Sequence, residues 1–434
     1  MLFTLEILKA AEGDCLLLHW GTVADPKLAV IDGGPGNIYE TSLLPRLTEI
    51  AKKRGIERLD IDLAIVSHID ADHITGIKKL FSEMERYVDE DVPDDQRLLR
   101  VARLWHNTFD DILGNKSGDY YKTITSSIPA SLDGEPNPKI EEALQANLKA
   151  GSATDAADAL FHARAISEIL AGQADGRDLR ILMEKLRAKN WVKFSLNSPF
   201  KGDDGATLLT GELKKNMQLV AGLWAGIYGP LQSDIEALQT EFDKYLTQKG
   251  ISAKTVLAAY ADKSIPNLSS IVALVGMGDA VNPLTILLTG DARGDKIQEG
   301  LKKRGVLKSG KAFFNVLKVP HHGSERNIDP DFFENLHADH YVFSASGKYE
   351  NPDRAAVKWL LDARGKDAVY DIYLTYPVAD IDRVRETVAK KQGKSWDSAK
   401  DSLSSLFAAY KGYKFRLHAG RDGRIDLGSE ALPW

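Results

Sequence analysis

Four side chains able to bind a metal ion fall within six residues of this chain: His68, Asp70, Asp72 and His73, in the run Ser67-His68-Ile69-Asp70-Ala71-Asp72-His73. Imidazole nitrogen and carboxylate oxygen suit Zn²⁺, Mn²⁺ or Fe²⁺, and two carboxylates lean the set toward the harder ions. The run follows the apolar segment Ile61–Val66, which reads as a buried strand. A helix would spread the four groups around its circumference, whereas a tight loop at a strand end can turn them inward together. The alternative, a solvated acidic loop with incidental histidines, fits poorly with a position directly after a buried strand. A second pair opens His321-His322-Gly323-Ser324, after the apolar run Phe313–Val319. Adjacent side chains point in different directions, so one of these two histidines is expected to face the metals. It either ligates an ion or serves as general acid for a leaving oxygen. Gly323 permits close backbone approach, and Ser324 could donate to a phosphate oxygen.

The elements that must position these groups are legible as alternating runs. Leu2–Leu8, Cys15–Trp20 and Lys27–Ile31 read as strands separated by Glu12-Gly13-Asp14 and ended by Asp32-Gly33-Gly34-Pro35-Gly36. Thr41–Lys53 carries helical periodicity. Residues 85–265 have a different texture: Lys139–Ala150, Ala153–Ala171 and Asp178–Lys189 read as helices, with breaks at 132–138 and 197–206 and strand content near Trp191–Ser195 and Leu223–Tyr228. This is expected to be a mostly helical insertion within one catalytic domain spanning 1–434. Strands return at Ser270–Val275, Thr285–Leu288, Phe313–Val319 and Tyr341–Ser344, and Tyr413–Leu417 with Arg424–Leu427 read as a hairpin around Gly420-Arg421-Asp422-Gly423. The alternation implies a layered α/β architecture.

Composition bounds the class. A chain of 434 residues, 43% hydrophobic and 27% charged, is of globular and not of disordered or fibrous type. It has no run of 18 apolar residues, so no membrane-spanning helix is expected, and its N-terminus lacks the pattern of a secretory signal. Cys15 is the single cysteine, read as a small buried hydrophobe; metal ligands must therefore come mainly from nitrogen and oxygen. A reducing, cytoplasmic location follows as the expectation. The net charge of −6 gives no global attraction to nucleic acid. Local basic stretches exist: Lys296, Lys302, Lys303, Arg304, Lys308, Lys311 and Lys318 form either a phosphate-contacting surface or a solvated helix face. Arg97, Arg100 and Arg103, beside Trp105, His106 and Asn107, either line a groove or belong to a charged helix running into a strand. Gly33-Gly34-Pro35-Gly36 lacks the lysine and Ser/Thr of a phosphate loop and reads as a turn. Trp191, Trp224 and Trp359 read as core anchors.

The 68–73 run resembles the His-x-His-x-Asp-His signature of the metallo-β-lactamase superfamily, in the variant whose second histidine is aspartate. With Ser67 before it and Thr75-Gly76 after it, it is similar to the metallo-β-lactamase domain of the DNA-uptake competence channel and its stand-alone relatives. Further segments follow in that family's order: Gly13-Asp14 and Val30-Ile31-Asp32-Gly33-Gly34, Asn267-Leu268-Ser269-Ser270, Leu287-Leu288-Thr289-Gly290-Asp291-Ala292, and Lys318-Val319-Pro320-His321-His322-Gly323-Ser324. The resemblance covers residues 1–80 and 225–360. It implies a four-layer αββα sandwich of mixed α/β (α+β) class and two divalent metal ions, Zn or Mn. His68 and Asp70 would hold one ion, Asp72 and His73 the other, and Asp291 would bridge them; His321 or His322 would join the ligands or act in catalysis beside Asp72. Asn267, Lys318, Ser324 and Asn351 would contact substrate. The family's later "GHPH" histidine has no counterpart: Gly347-Lys348-Tyr349-Glu350-Asn351-Pro352-Asp353 stands there, so Asn351 or Asp353 takes the position of an imidazole and Asp353 is the ligand expected.

The activity so implied is metal-dependent hydrolysis of nucleic-acid phosphodiesters through a metal-bridged hydroxide. Two other readings keep the fold: a hydrolase of a small phosphoester or cyclic nucleotide enclosed by the insertion, and a catalytically attenuated protein whose insertion binds a protein partner.

Overall fold

The computed structural model describes residues 1–112, 175–200, 208–237, 267, 269–279, 281–420 and 423–434. Strands β1 (Leu2–Ile7), β2 (Leu16–Gly21) and β3 (Pro26–Ile31) form an antiparallel meander. Helix α1 (Leu44–Arg54) then carries the chain back to β4 (Leu59–Ile61) and β5 (Leu63–Ile65). β5 runs parallel to β3 and to β7 (Leu104–Trp105). The resulting six-stranded sheet has the order β16-β1-β2-β3-β5-β7, with β16 at Gly423–Asp426. β4 pairs separately with β6 (Leu99–Val101).

The second sheet has eight strands, ordered β15-β14-β13-β12-β11-β10-β9-β8. Here β8 (Met217–Gln218), β9 (Trp224–Gly229), β10 (Val272–Met277) and β11 (Leu284–Leu288) are antiparallel. From β11 onward, β12 (Ala312–Lys318), β13 (Leu336–Phe343), β14 (Asp371–Leu374) and β15 (Arg416–Ala419) are parallel.

Three apolar cores make four layers. Phe3, Leu18, Ile65, Val275, Ile286 and Val316 meet between the sheets. Leu47 and Ile50 of α1, with Ile77, Leu80 and Phe81 of helix α2 (Ala71–Asp89), cover the outer face of the first sheet. Ile297, Phe332, Leu360 and Ile381, from four further helices, cover the second. β1 and β2 are buried along their whole length, as strands covered on both faces must be. This is the αββα mixed α/β sandwich expected. Among the described residues no helix is long and apolar enough to cross a membrane.

Three local expectations differ. Tyr413–Leu417 and Arg424–Leu427 do not make a hairpin: β15 pairs with β14 and β16 with β1, so the two strands extend the edges of different sheets. Each edge offers a row of unpaired backbone groups, and the last two strands satisfy one edge apiece. Residues 191–195 are bends and not a strand. Within 85–265, β6, β7, β8 and β9 are strands of the sheets; the helix expected over Asp178–Lys189 runs over 175–188, while 139–150 and 153–171 lie outside the described residues. The loop expected to carry all of 68–73 is shorter than that, because α2 begins at Ala71 and takes Asp72 and His73 into its first turn.

α2 enters that position through a contact between two glycines. Gly76 N–H donates to Gly34 O at 3.2 Å, and Gly33 N–H to His73 O at 2.7 Å. A Cβ added to Gly76 would fall onto the Gly33 carbonyl, and one added to Gly33 onto the backbone of Gly76 and Ile77. Backbone has no rotamer with which to yield. Gly76→Ala is therefore expected to destabilise the fold by about 2–3 kcal/mol, the upper end for overpacking, and a urea-unfolding midpoint unchanged from the parent protein would contradict this packing.

Candidate metal centre

The centre lies where strand ends from both sheets meet. Asp32 follows β3, Ser67 to His73 follow β5, Asp291 follows β11, His321 and His322 follow β12, and Ser344 follows β13. These are carboxyl ends of parallel strands, the edge at which open α/β sheets bind ligands.

Asp72, His73, Asp291 and His322 each offer a ligand atom within 4.8 Å of the others. His73 Nε2 stands 3.4 Å from Asp291 Oδ1 and 3.6 Å from Asp72 Oδ2; His322 Nε2 stands 3.3 Å from Asp291 Oδ2 and 3.4 Å from Asp72 Oδ2. His68 Nε2 lies alongside, 3.3 Å from Asp70 Oδ2 and 4.0 Å from Asp291 Oδ2. Asp70 occupies the N-cap of α2, yet its side chain makes no capping hydrogen bond, which leaves the carboxylate to face His68. The Nε2 atoms of His68, His73 and His322, with Oδ1 of Asp70 and Asp291, are buried without a hydrogen-bond partner. Orphan atoms of ligand type on His73, Asp291 and His322, which converge with Asp72, fit a divalent cation, because buried polar groups without partners are otherwise costly.

The far side of each ring is fixed. Asp32 Oδ2 accepts from His73 Nδ1 at 2.9 Å, Ser344 O from His322 Nδ1 at 2.8 Å, and Ser67 Oγ lies 3.1 Å from His68 Nδ1. This is the outer-sphere arrangement that aims Nε2 at a metal. Asp32 and Ser67 were not among the site residues expected from sequence, although Asp32 ends an apolar strand in the same way as Val66-Ser67-His68.

One of the two histidines is expected to face the metals; His322 belongs to the four-residue cluster and His321 does not, but both turn toward Asp291. His321 Nε2 is 3.8 Å from Asp291 Oδ2. The reason is backbone: His321 (φ 47°), His322 (φ 55°) and Gly323 (φ 85°) are successively left-handed, so consecutive side chains no longer splay apart as they do along a strand.

The other expected residues are dispersed. Asn267 Nδ2 is 3.2 Å from His321 Nδ1, and Ser324 is 5% exposed with its N–H on His321 O. Lys318 is 1% exposed and turned inward: its ammonium pairs with Asp14, donates to Gly290 O at 3.0 Å and lies 3.6 Å from Asp291 Oδ1. Asn351 is nearly buried, its carbonyl accepting from Gly347 N–H. Asp353 accepts from Glu325 N–H at 2.9 Å and burial raises its carboxyl to about 6. Neither belongs to the four-residue cluster. Part of the basic stretch is paired, Lys296 with Asp234, Lys303 with Glu299 and Arg304 with Leu213 O and Ile227 O, while Lys302, Lys308 and Lys311 are exposed. Cys15 is buried, and burial pushes its thiol up.

Burial alone would lower the histidines, but the carboxylates prevail at two of them. Asp291, Asp72 and Asp32 hold His73 well above its ordinary value, and Asp291 and Asp14 raise His322 to about 10. Both rings are thus imidazolium at neutral pH in the metal-free protein, and a cation must expel their protons to bind. Affinity should rise with pH from about 6.5 toward 10, and titration calorimetry in buffers of different ionisation heat should register protons released on binding; a pH-independent affinity would contradict this charge state. The sign for stability is the opposite. The imidazolium contribution in metal-free protein is full below the ordinary histidine value and is lost as pH rises toward about 10.

No curated protein matches the chain. Residues 20–83 match the Metallo-beta-lactamase superfamily, whose members are mostly metal-dependent hydrolases, and this segment contains Asp32, His68, Asp70, Asp72 and His73.

Proposed function

We propose that this chain is a metal-dependent phosphodiesterase acting on nucleic acid. The single observation carrying the metal-dependent part is the convergence of Asp72, His73, Asp291 and His322, with unpartnered buried atoms on the last three. The phosphodiester part is supported by the ordered series of segments that resembles the DNA-uptake channel domain.

Bound divalent ions would supply Lewis acidity and ionise water near neutral pH. The chain's own groups do the rest. Asp72, His73, Asp291 and His322 would hold a divalent ion, with His68 and Asp70 beside them. Asp32, Ser67 and Ser344 keep the rings aimed. Asn267 and Ser324, flanking His321, orient phosphoryl oxygens, and the buried strand ends beneath exclude bulk water.

A small phosphoester is the second reading. It is favoured by the pairing of basic side chains around the site loops: Lys78 with Asp175 and Asp178, Lys348 with Glu12, and Arg293 with Asp295. Paired cations attract a polyanion weakly.

Single- and double-stranded DNA and RNA should be cleaved in the presence of Mn²⁺ or Zn²⁺, and not with chelator. Asp72→Ala and Asp291→Ala should each lower the rate by at least about a hundredfold, more than loss of an outer-sphere partner. Hydrolysis persisting in both variants would reject this centre. Turnover of a small phosphodiester that is insensitive to salt, without cleavage of polymers, would select the second reading.

A further inference from the structure

The four imidazoles of the centre share one arrangement: each Nδ1 rests against an oxygen, and each Nε2 is directed inward. For three rings the partner leaves no choice of tautomer. The Asp32 carboxylate and the Ser344 carbonyl can only accept, so His73 and His322 each carry a proton on Nδ1 whether or not Nε2 is also protonated. Ser67 donates its hydroxyl to Asp32 Oδ2 at 2.7 Å, so Ser67 Oγ must accept from His68 Nδ1–H.

His321 differs, because its partners are two side-chain amides. Asn327 Oδ1 lies 2.7 Å from His321 Nδ1, and Asn267 Nδ2 lies 3.2 Å from the same atom. If Asn267 donated, the proton would move to Nε2. If Asn327 accepts, it stays on Nδ1. The other end of the Asn327 amide decides: its Nδ2 is 3.4 Å from the Asp291 carbonyl oxygen. Turned over, Asn327 would set an oxygen against that carbonyl. Its backbone is also fixed, since Gly294 N–H donates to Asn327 O at 2.7 Å.

We propose that Asn327 is a positioning residue that holds His321 in the Nδ1-protonated tautomer, so that Nε2 offers the centre a lone pair and not a proton. Asn327 thereby gives His321 the Nδ1–H that the other three rings also carry, and joins the loop of Asp291 to the loop of the two histidines. In this role His321 is an electron-pair donor toward the ions; a general acid would need its proton on Nε2. The inference rests on the metal-dependent reading for its purpose, but not for its test.

The tautomer is read from two-bond ¹H–¹⁵N correlation spectra of the metal-free protein, at a pH where the His321 ring is neutral and with His321→Ala to assign its signals. The wild type should show a pyrrole-type Nδ1 and a pyridine-type Nε2. Asn327→Ala should weaken that preference, because the Asn267 amide that then remains beside Nδ1 can present either end to the ring. Asn327→Asp, whose carboxylate can only accept, should keep the wild-type pattern; if the alanine variant fails to fold, this comparison still decides. A proton on Nε2 in the wild type or in Asn327→Asp would overturn the proposal. In a chelator-competition titration Asn327→Ala should weaken one bound ion by about 10–100-fold. A wild-type protein that binds no ion would sink the metal-dependent reading and leave the tautomer result standing.

Discussion

The Asp32 carboxylate is the fixed point of this molecule. It is 1% exposed, sits at the end of β3 with φ 55°, and accepts three hydrogen bonds: from Ser67 N–H at 2.7 Å, Ser67 Oγ–H at 2.7 Å and His73 Nδ1–H at 2.9 Å. Burial would raise its pKa, but the charge and hydrogen bond of His73 hold it below the ordinary range. One side chain therefore ties the end of β3 to the end of β5 and to the first turn of α2. His73 is oriented directly and His68 through Ser67, and the close passage of Gly33 past Gly76 follows from the same clamp. A left-handed aspartate is costly unless its surroundings over-determine it, and here three donors do.

Charge makes the second constraint. Asp14, Asp32 and Asp291 are buried and Asp70 and Asp72 are half-buried, while Lys318 is the ammonium buried among them. Five carboxylates against one ammonium leave an excess of negative charge of the kind that a divalent cation offsets. Nothing in a protein interior stabilises such an excess unaided. In metal-free protein the deficit falls on His73 and His322, which are drawn toward imidazolium. Lys318 is placed where that balance is tightest, between Asp14 and Asp291. A lysine so enclosed has no path to a substrate, and its contribution is to the field in which Asp291 sits.

Much of this arrangement was legible because each ligand follows a strand. An apolar run followed by a polar cluster marks a strand end, and β5, β11 and β12 all deliver their ligands that way. The sheet order was not legible, because pairing of β16 with β1 joins residues more than 400 apart in sequence, and no local pattern encodes which edge a terminal strand will complete. The roles of Asp32 and Ser67 were also hidden. Neither touches the expected ions; both act through a histidine, and a spacing argument ranks ligands while passing over what orients them. The pairing of Lys296 and Arg304 was hidden for a related reason: Asp234, Leu213 and Ile227 are brought near only by the fold.

The left-handed turn at His321-His322-Gly323 shows how the ends of a rigid sandwich can hold backbone that would not persist alone. His321 N–H donates to Gly290 O, Ser324 N–H to His321 O, and Asp353 N–H to Gly323 O. Asp353 also holds Glu325 N–H with its carboxylate, and Phe343 packs where a Cβ on Gly323 would go. The segment 347–353, which lacks the histidine that the resemblance implies, thus braces the turn that brings a second histidine to Asp291. Two consecutive residues with positive φ each cost of order 1–3 kcal/mol. That cost is met by the hydrogen bonds of the turn and by packing against β13, and its return is geometric, since in an extended strand His321 and His322 could not both reach one carboxylate.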